Sequence, residues 1–239
     1  MSAVFRFPES SSSSSTPALN QPQLALVLYA GERSFVLKHP LTANAKGQPV
    51  MGAGRGVSTR DRQALLQALG VQGLTPVQPN TLATSPVACA WWVPAGERAL
   101  LFEPKYGQTA TVSRLSGVPI PWPALVFIAS AARLQVFALR ENVRPTLETP
   151  LMHAPFWNLF QGGGVCRGSV QYPTACTPGL QEAWEAVFFQ SVFTGPSRTD
   201  RYMNWGRSYE ELLSHALKQE QFPLDVLMPA GVTLHEALS

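Results

Sequence analysis

The chain has 239 residues, 45% of them apolar and only 14% charged, with a formal net charge of +3 and a pI near 8.9. That is apolar material enough for one large domain or two small ones, and the mild basicity comes without clustered Lys and Arg, so composition gives no strong nucleic-acid signal. Three cysteines cannot all pair and no apolar secretory segment stands near the start, which points to a reducing, cytoplasmic setting; the longest apolar region, 123–139, is broken by Arg133 and Gln135 and falls short of the roughly 20 residues of a membrane span.

Residues 1–22 combine a serine run at 10–15 with several prolines. Such a composition buries too little apolar surface to offset ordering entropy, so a disordered tail is expected. Residues 23–57 read as an N-terminal β-hairpin and a Gly-rich loop. Apolar runs at 24–29 and 34–38 flank Ala30-Gly31-Glu32-Arg33, where Gly31 supplies the turn. Gly52-Ala53-Gly54-Arg55-Gly56 invites a phosphate-loop reading, but Val57 takes the place of the third glycine of a dinucleotide fingerprint and no Gly-Lys-Ser/Thr follows. A mobile turn is the expectation there.

Residues 58–222 carry the signals of one α+β domain. Ser58-Thr59-Arg60-Asp61 reads as a capping box opening a helix with Leu65, Leu66 and Leu69 on one face and Gly70 as the stop. Two hairpins follow, 88–93 with 99–103 and 124–130 with 134–140, giving a four-stranded antiparallel meander. Thr177 as N-cap and Pro178 as first helical residue open a helix with Leu180, Trp184, Val187 and Phe188 at helical spacing. A second capping box, Ser208 to Glu211, opens a helix burying Leu212, Leu213, Ala216 and Leu217, with Pro223 beyond it. Residues 223–239 are expected as a C-terminal tail. Trp91, Trp92 and Trp122 read as packing residues, and strand alternation sends Trp91 and Trp92 to opposite faces.

The chemistry-bearing stretch is Asn158-Leu159-Phe160-Gln161-Gly162-Gly163-Gly164-Val165-Cys166-Arg167-Gly168. A cysteine that carries an acyl group needs an open approach to its sulfur and a donor for the oxyanion formed during transfer. The glycines supply access, Asn158 is the candidate donor, and Arg167 favours the thiolate by its charge. His153 is either a loop-closing residue or a base for Cys166. Asp200, Glu182 and Glu185 read as surface carboxylates, and no acid for deprotonating an acceptor amine is assigned. Cys166 and Cys176 lie ten apart, which matches no zinc pair, so neither a metal nor a cofactor is expected.

The run of Asn158, Leu159, Phe160, Gly163, Val165 and Cys166 resembles the active-site stretch of ubiquitin-conjugating enzymes. Together with His39-Pro40-Leu41-Thr42, Gly52 to Gly56, Trp91-Trp92-Val93-Pro94-Ala95-Gly96 and His153-Ala154-Pro155-Phe156-Trp157-Asn158, it looks like the bacterial PRTRC system protein B family, also described as prokaryotic ubiquitin-conjugating family D. The likeness runs from about Leu24 to about Leu217. It implies a ubiquitin-conjugating-like fold for 58–222, preceded by an extra N-terminal hairpin, and a transferase that accepts a ubiquitin-like protein as a thioester on Cys166. It further implies a cassette that supplies a ThiF-like activating enzyme and a small ubiquitin-like protein, beside a JAB-type peptidase and a ParB-like protein. Phe156 and Trp157 stand where eukaryotic enzymes have His-Pro, so the hydrogen bonds of that histidine have no counterpart at the same place. Two other readings compete: a non-catalytic binding module of a mobile-element (plasmid) maintenance complex, and a cysteine hydrolase using His153.

Overall fold

A computed structural model describes residues 22–71, 74, 76–131 and 133–239; the tail expected at 1–22 lies outside these residues except for Pro22. The chain divides into two compact units, Met1–Gly73 and Leu74–Ser239.

In the first unit β1 (Leu24–Tyr29) pairs antiparallel with β2 (Phe35–Ala43), from Leu24 opposite Pro40 to Tyr29 opposite Phe35. This is the expected hairpin. β3 (Pro49–Met51) and β4 (Arg55–Gly56) both pair with β2, so the glycine run is not a free turn. Its glycines are there for close approach: a Cβ on Gly52 would sit 2.9 Å from the Pro40 ring, and one on Gly54 would sit 2.7 Å from His39. His39 locks the loop: its Nδ1–H donates to the Gly52 carbonyl at 2.9 Å, and its Nε2 accepts from the Tyr29 hydroxyl at 3.3 Å.

α1 (Thr59–Ala68) begins at the Ser58–Asp61 capping box and ends in Gly70 at φ +69°, with Val71 N–H donating to Leu66 and Gly70 N–H to Gln67. Both ends thus satisfy their orphan backbone groups locally. Leu65, Leu66 and Leu69 are exposed, and α1 groups with the hairpin rather than with the residues after 73.

The second unit is built on a six-stranded antiparallel sheet. β5 (Thr81–Ser85) pairs with β6 (Ala88–Val93); the chain then leaves the sheet through β7 (Gly96–Ala99), β8 (Leu101–Phe102) and β9 (Pro119–Trp122), where β7 pairs with β9. It returns as β10 (Leu125–Ser130) and β11 (Arg133–Ala138), then β12 (Pro150–His153). A 3-10 turn over Pro178–Leu180 leads into α2 (Gln181–Phe189), followed by β13 (Val192–Phe193), α3 (Tyr209–Gln219), β14 (Pro229–Thr233) and α4 (Leu234–Leu238). The sheet order is β14-β12-β11-β10-β6-β5, and β13 lies parallel to β8.

Two expectations are corrected here. Residues 88–93 do not pair with 99–103; β6 takes β5 on one side and β10 on the other, with Leu125 opposite Val93. Alternation suits either partner, and the β10 pairing stacks Trp91 on Phe127 at 5.4 Å between ring centroids. Residues 223–239 are not a tail. They supply β14, an edge strand whose first residue, Pro229, sits where a missing N–H is tolerated, and α4, which starts at a Thr233–Glu236 capping box.

Period-two alternation in β10 sends Leu125, Phe127 and Ala129 to a core shared with Trp184, Phe188, Leu212 and Leu213 of α2 and α3. Val126 and Ile128 face a second core with Leu151 and Leu234. The sheet is covered on both faces, so β10 reads as a continuous apolar run. Trp91 is buried in the first core and Trp92 packs against the second, as alternation requires.

Candidate functional site around Cys166

The stretch from Asn158 to Cys166 folds back on itself and docks on β11. Gly163 N–H donates to Phe160 and Phe160 N–H to Gly164, closing a turn with Gly162 at φ +83° and Gly163 at φ +79°. Cys166 N–H donates to the Asn158 carbonyl at 2.7 Å, joining the two ends. The half of β11 not paired with β12 then receives the loop: Val136 N–H donates to Gly163 at 2.9 Å, Val165 N–H to Leu134 at 2.8 Å, and the Gln135 side chain to Gly162 at 3.1 Å. Gly163 is required twice over. Its φ favours glycine, and a Cβ would lie 2.9 Å from the Val136 carbonyl oxygen and 3.0 Å from the Phe137 ring. Leu159 is buried beneath this turn and Phe160 is exposed.

Asn158 sits in the left-handed region at φ +57°, is 8% exposed, and uses its carboxamide as a clamp. Nδ2 donates to the Val192 carbonyl at 2.9 Å, while Oδ1 accepts from the Thr194 N–H at 3.2 Å and the Thr194 hydroxyl at 3.3 Å. Its backbone N–H donates to Gly195. A primary amide has two N–H bonds, and Val192 is the acceptor of one.

Of the three cysteines, Cys89 and Cys176 are buried and Cys166 is partly exposed. Burial pushes both inner thiols up, and Cys89 adds to the effect on Cys176. Arg167 is tied down beside Cys166: Nε donates to the Val170 carbonyl at 2.7 Å, and the guanidinium lies over the Tyr172 ring, 5.0 Å from its centroid.

His153 goes elsewhere. Its two ring nitrogens lie 3.2 and 3.3 Å from the Arg198 guanidinium, and its backbone N–H donates to Met228. Burial and then the Arg198 charge lower its pKa. Among the described residues no hydrogen bond connects it with Cys166.

The model of prokaryotic E2 family D matches residues 62–230, well over half of the sequence. The chain belongs to that family. Neither a curated protein nor a solved structure matches it. The matched span takes in part of α1, the sheet through the first residues of β14, and the whole Asn158–Cys166 loop; the phrases at His39 and Gly52 stand before it.

This family D chain also carries groups that sequence patterns did not reveal. Arg198, its side chain only 2% exposed, forms a two-pronged pair with Asp200 and holds that carboxyl down to about 2. The same guanidinium covers Tyr202, whose phenol burial pushes up to about 12. Glu185 is no simple surface carboxylate: it accepts from the Trp91 indole at 2.9 Å, and burial raises its pKa. With Glu182, Gln181, Gln78 and Asn80 it lines a polar cavity of about 420 Å³ at the start of α2. The signal for Arg198 was present only as an Arg-x-Asp spacing, which is common on surfaces. Among the described residues no group of three His, Cys, Asp or Glu is placed to hold a metal, and no helix is long and apolar enough to cross a membrane.

Proposed function

We propose that Cys166 carries a ubiquitin-like protein as a thioester and passes it to an amine, on a ubiquitin-conjugating-like fold in which β5, β6, β10 and β11 form the meander and α2 and α3 the later helices. One observation carries the reading. Within the family's matched residues, the thiol with solvent access stands at the foot of a loop clamped to β11 on one side and to 192–195 on the other. A fixed nucleophile with an open face suits transfer between two large partners.

In the first step the Cys166 thiolate attacks the carbonyl carbon of a thioester on a ThiF-like activating enzyme. The carbonyl electrons move to oxygen, and collapse expels that enzyme's thiolate. In the second step an acceptor amine attacks the new thioester, collapse returns the Cys166 thiolate, and the nitrogen loses its proton to solvent base. We assign the second Asn158 amide N–H to the oxyanion, a role typically worth ~3 kcal/mol of barrier. The two partners belong, on this proposal, to the same bacterial PRTRC cassette.

A second reading, a non-catalytic binding module of a plasmid maintenance complex, is favoured by the Asn158 carboxamide being already bonded to Val192 and Thr194. Under it, Cys166→Ala leaves partner binding and biological activity intact. The carrier reading is tested by mixing the full chain with activating enzyme, ubiquitin-like protein and ATP. A gel-shifted adduct cleaved by thiols is expected, and Cys166→Ser should give an ester that resists them. Neither product forming would remove the carrier reading.

A further inference from the structure

The loop that carries Cys166 is a two-stranded ribbon with a definite register. Leu159 and Val165 form an antiparallel bridge, framed by Phe160 N–H donating to the Gly164 carbonyl at 2.7 Å and Cys166 N–H donating to the Asn158 carbonyl at 2.7 Å. The pairs facing each other across the ribbon are therefore Phe160 with Gly164, Leu159 with Val165, and Asn158 with Cys166. Cross-strand partners share a face and successive residues alternate, so Phe160 and Cys166 stand together on the face opposite to Leu159 and Val165. Burial agrees: Leu159 is buried and Val165 packs against the first core, whereas Phe160 is 48% exposed and Cys166 keeps solvent access.

On that face Cys166 is the diagonal neighbour of Phe160, at a separation of roughly 7–8 Å. Gly164, directly opposite Phe160, has no side chain to cover the ring. The backbone beneath the ring is fixed, because Gly163 N–H donates to the Phe160 carbonyl and the Gly163 carbonyl accepts from Val136 N–H on β11. A contact made by this ring thus carries little ordering cost.

We propose that Phe160 is a specificity-determining contact for the chain carried on Cys166, packing against an apolar side chain at the second or third residue from that chain's C-terminal carbonyl. The inference rests on the thioester reading, which fixes the occupant. A chain bonded to the Cys166 sulfur leads away from it by roughly 3.3 Å per residue, so its second and third residues lie at the distance of Phe160. The side chain it meets is apolar because a phenyl ring gains most by being covered with apolar surface.

The test uses the full chain and two synthetic peptide thioesters, both ending in glycine, that carry either leucine or glycine at the second and third residues from the C-terminal carbonyl. The Cys166 thiolate attacks the thioester carbonyl, the small thiolate leaves, and transfer of the peptide to Cys166 is followed by intact mass. Wild type should load the leucine peptide about three- to tenfold faster than the glycine peptide, the gain from partly burying such a side chain. Phe160→Ala should load both at the glycine rate, and Phe160→Leu should keep part of the preference. Alkylation of Cys166 by iodoacetamide should be equally fast in all three proteins, since Phe160 acts on the carried chain and not on the sulfur. Equal loading of the two peptides by wild type overturns the proposal, as does a preference that survives Phe160→Ala or an alkylation rate that falls with it. Peptide loading needs no activating enzyme. A leucine preference lost in Phe160→Ala, without any ATP-dependent thioester, removes the carrier reading alone; a normal ATP-dependent thioester without that preference removes the role of Phe160 alone.

Discussion

In the first unit His39 is the one buried residue among residues 22–71, whereas in the second unit the sheet is packed on both faces by aromatic and aliphatic side chains. Both units are built from similar signals, alternating strands and capping boxes. The first is held by backbone pairing, by the His39 ring bonds and by the Lys38–Asp61 ion pair, while Leu28, Phe35 and Leu69 remain exposed. The second is held by partners far apart in sequence, such as Trp91 with Glu185 and Asn158 with Thr194. Local signals create elements, and distant contacts decide which of them acquire a core. The proposed chemistry lies in the unit with the core, where a loop can be held against a packed strand.

The sharpest way to break this comparison is a matched pair of truncations. Phe188 is fully buried against Phe127, Phe156 and Phe193, so Phe188→Ala should cost about 3–5 kcal/mol in urea unfolding followed by tryptophan fluorescence. All six tryptophans lie at position 91 or later, so that probe reads the second unit. Leu66→Ala, read by hydrogen exchange of the α1 amides, should change stability by no more than about 0.5 kcal/mol. A loss at Leu66 comparable to that at Phe188 would show that α1 has a packed apolar face.

A smaller effect is expected at the loop. Gly163→Ala places a Cβ against the Val136 carbonyl oxygen and forces an L-residue to φ +79°, for a combined cost of about 2–3 kcal/mol by the same fluorescence measurement. Gly164→Ala, with open space around its Cβ, is the control. Equal stability of the two variants would mean that the loop is not docked on β11.

The smallest effect is the pH dependence contributed by His153. Its folded pKa is lowered by burial and by Arg198, so the folded state binds fewer protons than the unfolded one. The associated stability is present above the unfolded value of roughly 6.5 and is lost as pH falls through the folded value. His153→Gln should flatten the melting-temperature profile over that window. An unchanged slope would separate His153 from the Arg198–Asp200 pair.

Much of this layout was legible in the sequence, because the signals were local. The hairpin at β1 and β2, the caps at Ser58 and Ser208, the strands β6, β10 and β11, and the helices α2 and α3 each follow from spacing and stop residues. β12 and β14 were not legible because Pro150 and Pro229 begin them, and proline argues against a strand except at its first residue, as here, or on a sheet edge, as in β14. At the site, the positions of Cys166 and Asn158 could be read from the motif. The amide's attachment to Val192 and Thr194 and the pairing of His153 with Arg198 could not, being set by three-dimensional proximity. The glycines do more than open the sulfur: Gly163 permits close approach to β11 as well as turning the chain.

The most direct test of the proposed transfer chemistry is the intact mass of the chain after incubation with activating enzyme, ubiquitin-like protein and ATP, followed by mapping of the linkage. The expected species has the summed mass of the two proteins less one water, maps to Cys166, disappears on thiol treatment and is absent from Cys166→Ala. A linkage mapped to any other residue, or an identical adduct on Cys166→Ala, would contradict it.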